Sequence, residues 1–277
     1  MKQQIKLFNN HFQNYKVYGI QKAQLIIADI PYNVGKDAYG SNPAWYEGGN
    51  SKNGESKLAN TEFFDTDKDF RMTEFLHFCT KMLKKEPKKN PGRGNSKSPC
   101  MLIFCSFEQQ FELIEKAKNY GLNHYINMVF KKNFSAQVLK ANMRVVGNCE
   151  YAVILYRDKL PKFNNHKKMV MNCMEYPRES KSTPKLHPTQ KPIKLLQKLI
   201  EIFTDEGEVV IDPCAGSGST LIAALKSNRT AFGFEIKKDF YTLANKWILA
   251  ETEIKELGYA KTEANNEAGS LFSLMEG

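Results

Sequence analysis

The stretch Glu208-Val209-Val210-Ile211-Asp212-Pro213-Cys214-Ala215-Gly216-Ser217-Gly218-Ser219-Thr220 runs from a short apolar strand, through a turn holding two glycines, into a helix over 220–226. Glycines in such a turn let the backbone reverse tightly and let a ligand approach the main chain without side-chain obstruction. A strand over 231–234 follows, and Glu235 ends it, where a carboxylate can accept hydrogen bonds from both hydroxyls of a ribose. Turn and carboxylate together describe a site for an adenosine-containing cofactor. A dinucleotide fingerprint needs a third glycine where Leu221 stands, and a phosphate loop needs Gly-Lys-Ser/Thr, which is absent. Asp212, at the strand tip, suits a ligand with a cationic amino group rather than a pyrophosphate, and S-adenosyl-L-methionine carries one. Taken alone, the turn also fits a plain strand-to-helix connection with incidental glycines.

Outward from this turn the same alternation continues. Pro192, at the first position of a helix, opens an amphipathic stripe of Ile193, Leu196, Leu199, Ile200 and Phe203, and a last helix is expected over 239–252. Toward the N-terminus, Ile5-Lys6-Leu7-Phe8 and Leu25-Ile26-Ile27-Ala28 read as strands, the second of buried parallel type. Helices over 66–85 and 107–120 and strands over 100–105, 125–130 and 150–156 complete an α/β pattern with a mostly parallel sheet. Residues 33–65, rich in Gly, Asn, Ser and Tyr, and residues 157–186, rich in Lys, Asn and Pro, read as irregular; the chain from 257 reads as a loosely docked tail.

The second strand stops at Asp29-Ile30-Pro31-Tyr32, which places a carboxylate, main-chain carbonyls and an aromatic ring where open α/β sheets bind ligands. By itself this tetrapeptide fits a strand ending in a Pro turn with Tyr as a lid.

The chain has 277 residues, 42% hydrophobic and 25% charged, which excludes disordered, collagen-like and coiled-coil classes and allows one large α/β domain or two small ones. Lys and Arg number 40 against 30 Asp and Glu, a net charge of +10 that favours a polyanionic partner. No run approaches the length of a membrane span, and Met1 to Tyr15 lack the apolar core of a secretory signal. The six cysteines form no C-x-x-C pair, so the reading is a reduced, cytoplasmic protein without a disulfide framework or a zinc site.

In order, Asp29-Ile30-Pro31-Tyr32, an irregular region, His187-Pro188-Thr189-Gln190-Lys191-Pro192 and the Asp212–Thr220 turn resemble the beta-class DNA amino-methyltransferases, in which the catalytic half precedes the cofactor half. The resemblance spans residues 5–249. Two departures stand out: Ile30 replaces the family's usual Pro, at a position contributing a main-chain carbonyl, and Cys214 replaces the usual Phe.

The resemblance implies a Rossmann-like, seven-stranded S-adenosylmethionine-dependent methyltransferase fold in a single domain over 1–256: a catalytic half over 1–156, a small target-recognition region over 157–186 and a cofactor half over 187–256. It implies that Asp212 and the Pro213, Cys214, Ala215, Gly216, Ser217, Gly218, Ser219 and Thr220 segment hold the methionine part of the cofactor. Thr189 and Lys191, with His187 in the same string, would meet its carboxylate, Glu235 its ribose and Asn10 its adenine ring. Asp29, Ile30, Pro31 and Tyr32 form the implied catalytic string, double-stranded DNA is the implied partner, and a homodimer is possible.

Chemically, the exocyclic amino nitrogen of adenine is a poor nucleophile because its lone pair is delocalised into the ring. The Asp29 carboxylate and the carbonyl of Ile30 or Pro31 can bind both amino hydrogens and favour a pyramidal nitrogen, which attacks the sulfonium methyl in line. A base inside a duplex cannot reach such a pocket, so it must be extruded and stacked on an aromatic face, a role that suits Tyr32. Within the resembling family a carboxylate at the first position of the string favours adenine. The alternatives are amino-group methylation of cytosine, ring-carbon methylation through Cys100 or Cys214, and a catalytically dead DNA-binding relative. Candidate DNA-contacting segments are 33–65, 84–97 and 157–185.

Overall fold

A computed structural model describes residues 3–32, 39–41, 70–88, 96–132, 136–138, 146–166, 168–176, 183–184, 186 and 190–275. Its strands are β1 (Ile5–Asn9), β2 (Leu25–Asp29), β3 (Tyr39–Ser41), β4 (Cys100–Cys105), β5 (His124–Lys132), β6 (Ala136–Val138), β7 (Val146–Gly147), β8 (Cys149–Tyr156), β9 (Cys173–Tyr176), β10 (Val209–Asp212) and β11 (Thr230–Glu235). The helices are α1 (Met72–Met82), α2 (Gln109–Lys118), α3 (Ile193–Phe203), α4 (Ser219–Lys226) and α5 (Lys238–Met275), with a short 3-10 turn at Phe12–Tyr18.

Eight strands form the main sheet in the order β1-β11-β10-β2-β4-β8-β5-β9, and β3-β6-β7 make a small second sheet. In the main sheet only β8 runs against its neighbours, β4 and β5. The expected seven-stranded sheet thus gains one strand, β9, which pairs parallel to β5 at the edge. It lies inside the stretch expected to be irregular. Its four residues alternate exposed and buried, a period-two pattern too short to stand out among Lys and Asn.

The strand pattern sorts the core into two layers. Leu25 and Ile27 of β2 face one cluster with α3, α4 and Trp247 of α5, while Ile26 and Ala28 face another with α1 and Phe12. All four are essentially inaccessible, which is why β2 reads as a continuous apolar run rather than an alternating one. Burial of each of the larger three contributes about 1.5–3 kcal/mol. Pro192 caps α3, whose Ile193, Leu196, Leu199, Ile200 and Phe203 are buried as the stripe predicts. At Gly233 of β11 an added Cβ would lie 2.7 Å from Leu221 Cδ1 and 3.1 Å from Ala215 Cβ, so the glycine turn and α4 pack directly on the strand backbone.

Two boundaries differ from expectation. Helix α1 begins at Met72. The last helix does not stop near 252 but continues to Met275, through the segment expected as a loose tail. That segment lacks proline and holds several Ala, Glu and Leu residues, good helix formers.

The pairing places function. β10 lies between β11 and β2, all parallel, so Asp29, Asp212 and Glu235 end three adjacent strands on the same edge of the sheet. From β10 the chain proceeds to α4 and β11 on one side, and from β2 to α1 and β4 on the other. Open α/β sheets bind ligands at such a reversal of strand order.

Candidate active site

Asp212 and Glu235 are held at this edge by local backbone N–H groups. The Cys214 N–H donates to Asp212 Oδ1 at 2.9 Å. The Gly216 N–H donates to Glu235 Oε2 at 2.9 Å and the Lys237 N–H to Oε1 at 2.7 Å. A carboxylate oxygen accepts more than one hydrogen bond, so both Glu235 oxygens keep capacity for a ligand hydroxyl. Burial raises the Glu235 carboxyl against the pull of those N–H groups. Burial pushes Asp212 up to about 7, with Asp29 and Glu235 adding like charge against the hydrogen bonds from Thr220 and the Cys214 N–H.

At the tip of β2, Lys191 Nζ donates to Asp29 Oδ2 at 2.6 Å and lies 3.4 Å from Glu150 Oε2, while its side chain is only 6% exposed. Lys132 reaches Glu150 from the other side at 3.0 Å. The ammonium also sits 5.1 Å from the Phe104 ring centre and 5.5 Å from that of Tyr32. Burial alone would lower Lys191, but Asp29 and Glu150 outweigh it and hold the ammonium above its ordinary range. Burial would raise Glu150, yet Lys191 and Lys132 bring it below the usual carboxylate range. At Asp29 burial wins over Lys191 and its carboxyl is raised. Burial, with the neighbouring Asp29 charge, lifts the Tyr32 hydroxyl well above its ordinary value, so the ring stays neutral. Asp29 Oδ1 is buried and has no hydrogen-bond partner among the described residues. An unpaired buried acceptor costs about 1–3 kcal/mol, so a donor arriving there is strongly favoured.

The cysteines near this edge have raised thiols. Cys100 starts β4 at the end opposite to Phe104, the residue paired with Asp29, and burial raises its thiol further. Cys105, at the correct end, is pushed up to about 12 by burial and by Asp29, and burial also raises Cys214 well above its ordinary value.

Residues 23–246 match the family model described as DNA methylase, which covers most of the chain. The chain belongs to the N6/N4 DNA methylase family. Its relatives include the protein named DNA adenine methyltransferase YhdJ of Escherichia coli K12, 27% identical over 79% of this chain and 74% of that one. The putative methylase YubD of the same organism is 29% identical over 60% of this chain and 69% of its own length. Among solved structures, the M1.HpyAVI–SAM complex shares the fold with a TM-score of 0.59 at 21% identity, covering 88% of this chain and 98% of that one. The PvuII cytosine-N4-specific DNA methyltransferase matches with a TM-score of 0.59 at 12% identity, over 90% and 91% of the two chains.

In this DNA methylase the structure brings the Asp29–Tyr32 string, Lys191 and the glycine turn to one edge, as the motif order implies. Lys191, expected at a cofactor carboxylate, has its ammonium against Asp29 and Glu150 instead. Asn10 follows β1, next to the edge that carries Glu235, but its amide is engaged locally: Nδ2 donates to the Tyr18 hydroxyl at 2.8 Å and Oδ1 accepts from the His11 N–H and from Asn14. His187 and Thr189 lie outside the described residues, as does nearly all of 33–65. Of the basic residues opening the 157–185 segment, three turn inward. Arg157 donates to the Lys84 carbonyl, Lys159 to the carbonyls of Pro87 and Lys88, and Lys162 pairs with Asp205 and Glu208. Arg157 and Lys159 anchor the chain after α1 and Lys162 the loop before β10; among the described residues of the segment, Lys168, Met169 and Met171 are exposed.

Glu150 was not legible in the sequence. Nothing about a glutamate starting a strand marks it, and only the pairing of β8 with β4 and β5 sets it between two lysines. Among the described residues no helix is long and apolar enough to cross a membrane.

Gly218 enters α4 with φ +77°, and an added Cβ would lie 3.1 Å from Ile248 Cδ1 and 3.3 Å from Ala244 Cβ. Gly218→Ala is expected to cost about 1–2 kcal/mol from the left-handed backbone alone. The crowding against α5 adds to that cost. A denaturant melt showing an unchanged midpoint would contradict this reading of the turn.

Proposed function

We propose that this protein transfers a methyl group from S-adenosyl-L-methionine to the exocyclic amino group of adenine in double-stranded DNA. The observation that carries the proposal is the buried Asp29 Oδ1 at the tip of β2, without a hydrogen-bond partner among the described residues, beside a glycine turn flanked by Asp212 and Glu235. An acceptor in that position needs a donor, and an amino group supplies one. Asp29 rather than Ser at the head of the string, and the adenine named for YhdJ, support adenine over cytosine.

The residues present fit the cofactor. The Glu235 oxygens keep acceptor capacity for the ribose hydroxyls, Asp212 stands at the turn as a counter-charge for an ammonium, and Gly216 carries no side chain to obstruct a ligand at the main chain. S-adenosyl-L-methionine supplies an electrophilic methyl on a sulfonium. The protein's own part is to accept both amino hydrogens of an extruded base, at Asp29 and at a main-chain carbonyl of the string, so that the nitrogen lone pair leaves conjugation and points along the transfer axis. Tyr32, held neutral, offers a ring face for stacking. Lys191 opposes the burial that raises the Asp29 carboxyl, and the positive charge developing on the nitrogen is stabilised by the Asp29 carboxylate. Orientation and electrostatics do the work, without a covalent enzyme intermediate.

Incubating the protein with tritiated cofactor and unmethylated bacterial DNA, then separating the nucleosides, tests the proposal. Label in N6-methyladenine is expected; label in N4-methylcytosine, or DNA binding with no label, would overturn it.

Asp212 adds a pH dependence. Its carboxyl is pushed up to about 7 from the ordinary 3.8, so in the empty protein it is largely protonated below neutrality. The folded state then binds this proton more tightly than the unfolded chain, and the group's contribution to stability falls as pH rises from the unfolded value through about 7. A bound ammonium reverses the preference, because it favours the carboxylate. Cofactor affinity is therefore expected to tighten as pH rises through about 7, and Asp212→Asn to flatten that dependence and weaken binding, both readable by calorimetry.

A further inference from the structure

The tip of β2 is gripped by a residue from outside every motif. Gln109, the first residue of α2, donates from Nε2 to the Pro31 carbonyl at 2.7 Å, and its Oε1 accepts the Ser106 N–H at 3.0 Å. In return the Gln109 N–H donates to Ser106 Oγ at 3.2 Å, which closes a reciprocal cap of the S-x-x-Q kind. The two contacts of the Gln109 amide have opposite effects on the two carbonyls of the string.

The ladder between β2 and β4 shows why. Ile30 N–H donates to the Phe104 carbonyl at 3.1 Å, and in a parallel ladder the next bond would run from the Ser106 N–H to the Ile30 carbonyl. That N–H is turned to Gln109 Oε1 instead. Ending the ladder there leaves the Ile30 carbonyl without a donor among the described residues, while the Pro31 carbonyl already accepts the Gln109 amide. The main-chain acceptor with both lone pairs free for an incoming amino group is thus that of Ile30, the residue after Asp29 in the chain.

We propose that Gln109 is a positioning residue for methyl transfer: by holding the Pro31 carbonyl and diverting the Ser106 N–H, it presents the Ile30 carbonyl together with the Asp29 carboxylate as the acceptor pair for the target amino group. It touches neither the base nor the cofactor and acts through the backbone of residues 30–31. The inference rests on the methyltransferase reading above and adds a positioning residue to it.

The test uses the full-length protein, tritiated cofactor and unmethylated bacterial DNA. Gln109→Ala is expected to lower kcat about tenfold to a hundredfold, the scale of a small misplacement at a reacting centre, with KM and Kd for the cofactor unchanged. Gln109→Glu keeps the acceptor for the Ser106 N–H but at neutral pH sets a carboxylate oxygen against the Pro31 carbonyl. It should retain the helix cap, and so the melting temperature, while losing kcat as the alanine variant does. Gln110→Ala removes a buried neighbour that donates to the Phe107 carbonyl on the same helical turn, not to the string, and serves as the control for a purely structural effect.

Wild-type kcat in Gln109→Ala would overturn the inference. So would a loss in Gln109→Ala matched by Gln110→Ala at an equal drop in melting temperature, or a Gln109→Glu variant with full kcat. If wild-type protein transfers no methyl group, or Asp29→Ala leaves the rate untouched, the underlying reading fails instead, and the two failures are told apart in one set of assays.

Discussion

Asp29→Ala is expected to lower the rate of methyl transfer to DNA by at least about 10²–10³-fold, the scale set by removing one preorganised electrostatic partner from a reacting centre. The variant should fold. Asp29 lies at the last position of β2, the apolar run before it carries the core contacts, and Lys191 retains Glu150 as a partner. Cofactor affinity should change little, because the glycine turn and Glu235 are organised by their own backbone hydrogen bonds. A pre-steady-state burst assay with equilibrium cofactor binding separates these quantities. A variant that transfers methyl groups at the wild-type rate would remove Asp29 from the chemistry.

The second large effect concerns Lys191. Its ammonium is the shared partner of two carboxylates, at 2.6 Å from Asp29 and 3.4 Å from Glu150, and it is almost inaccessible. Breaking a buried ion pair by deleting one member costs about 3–5 kcal/mol, because the remaining charge stays desolvated. Lys191→Met keeps the aliphatic volume and deletes the charge, so it should show this loss at neutral pH in urea titrations.

The sign with pH is fixed by the groups left behind. Glu150 is held below the usual carboxylate range with Lys191 among the causes, so it contributes stability at neutral pH that is lost as pH falls through its folded value. Without the lysine, Asp29 rises further, Glu150 loses part of what holds it down, and both take up protons more readily. The stability gap between wild type and Lys191→Met should therefore narrow in acid. Any residual activity should need higher pH than the wild type, because Asp29 must ionise unaided. A gap independent of pH would show that the lysine acts only by filling space.

Much of this site can be read along the chain. The glycine turn is legible because its residues are constrained one by one: a strand must end, the backbone must turn through positive φ at Gly216 and Gly218, and a helix must begin. Asp29 and Glu235 are legible because each closes a short run of buried apolar residues. The ligands that hold these groups are not. Glu150 and Lys132 meet Lys191 only through antiparallel pairing across β4, β8 and β5, and Gln109 reaches Pro31 only because β4 returns the chain beside β2. No local periodicity encodes such contacts. β9 escapes a local reading for a physical reason as well: its exposed-buried alternation runs over only four residues, too few for the pattern that identifies the longer strands.

Expressing the wild-type chain and Asp29→Ala in a bacterial host that lacks DNA methylation, and mapping modified bases along the host genome, puts the central claim to its most direct test. N6-methyladenine in a defined sequence context with the wild type, and none with Asp29→Ala, is the predicted result. A genome without N6-methyladenine, or one in which Asp29→Ala leaves the same modified bases in place, would contradict it.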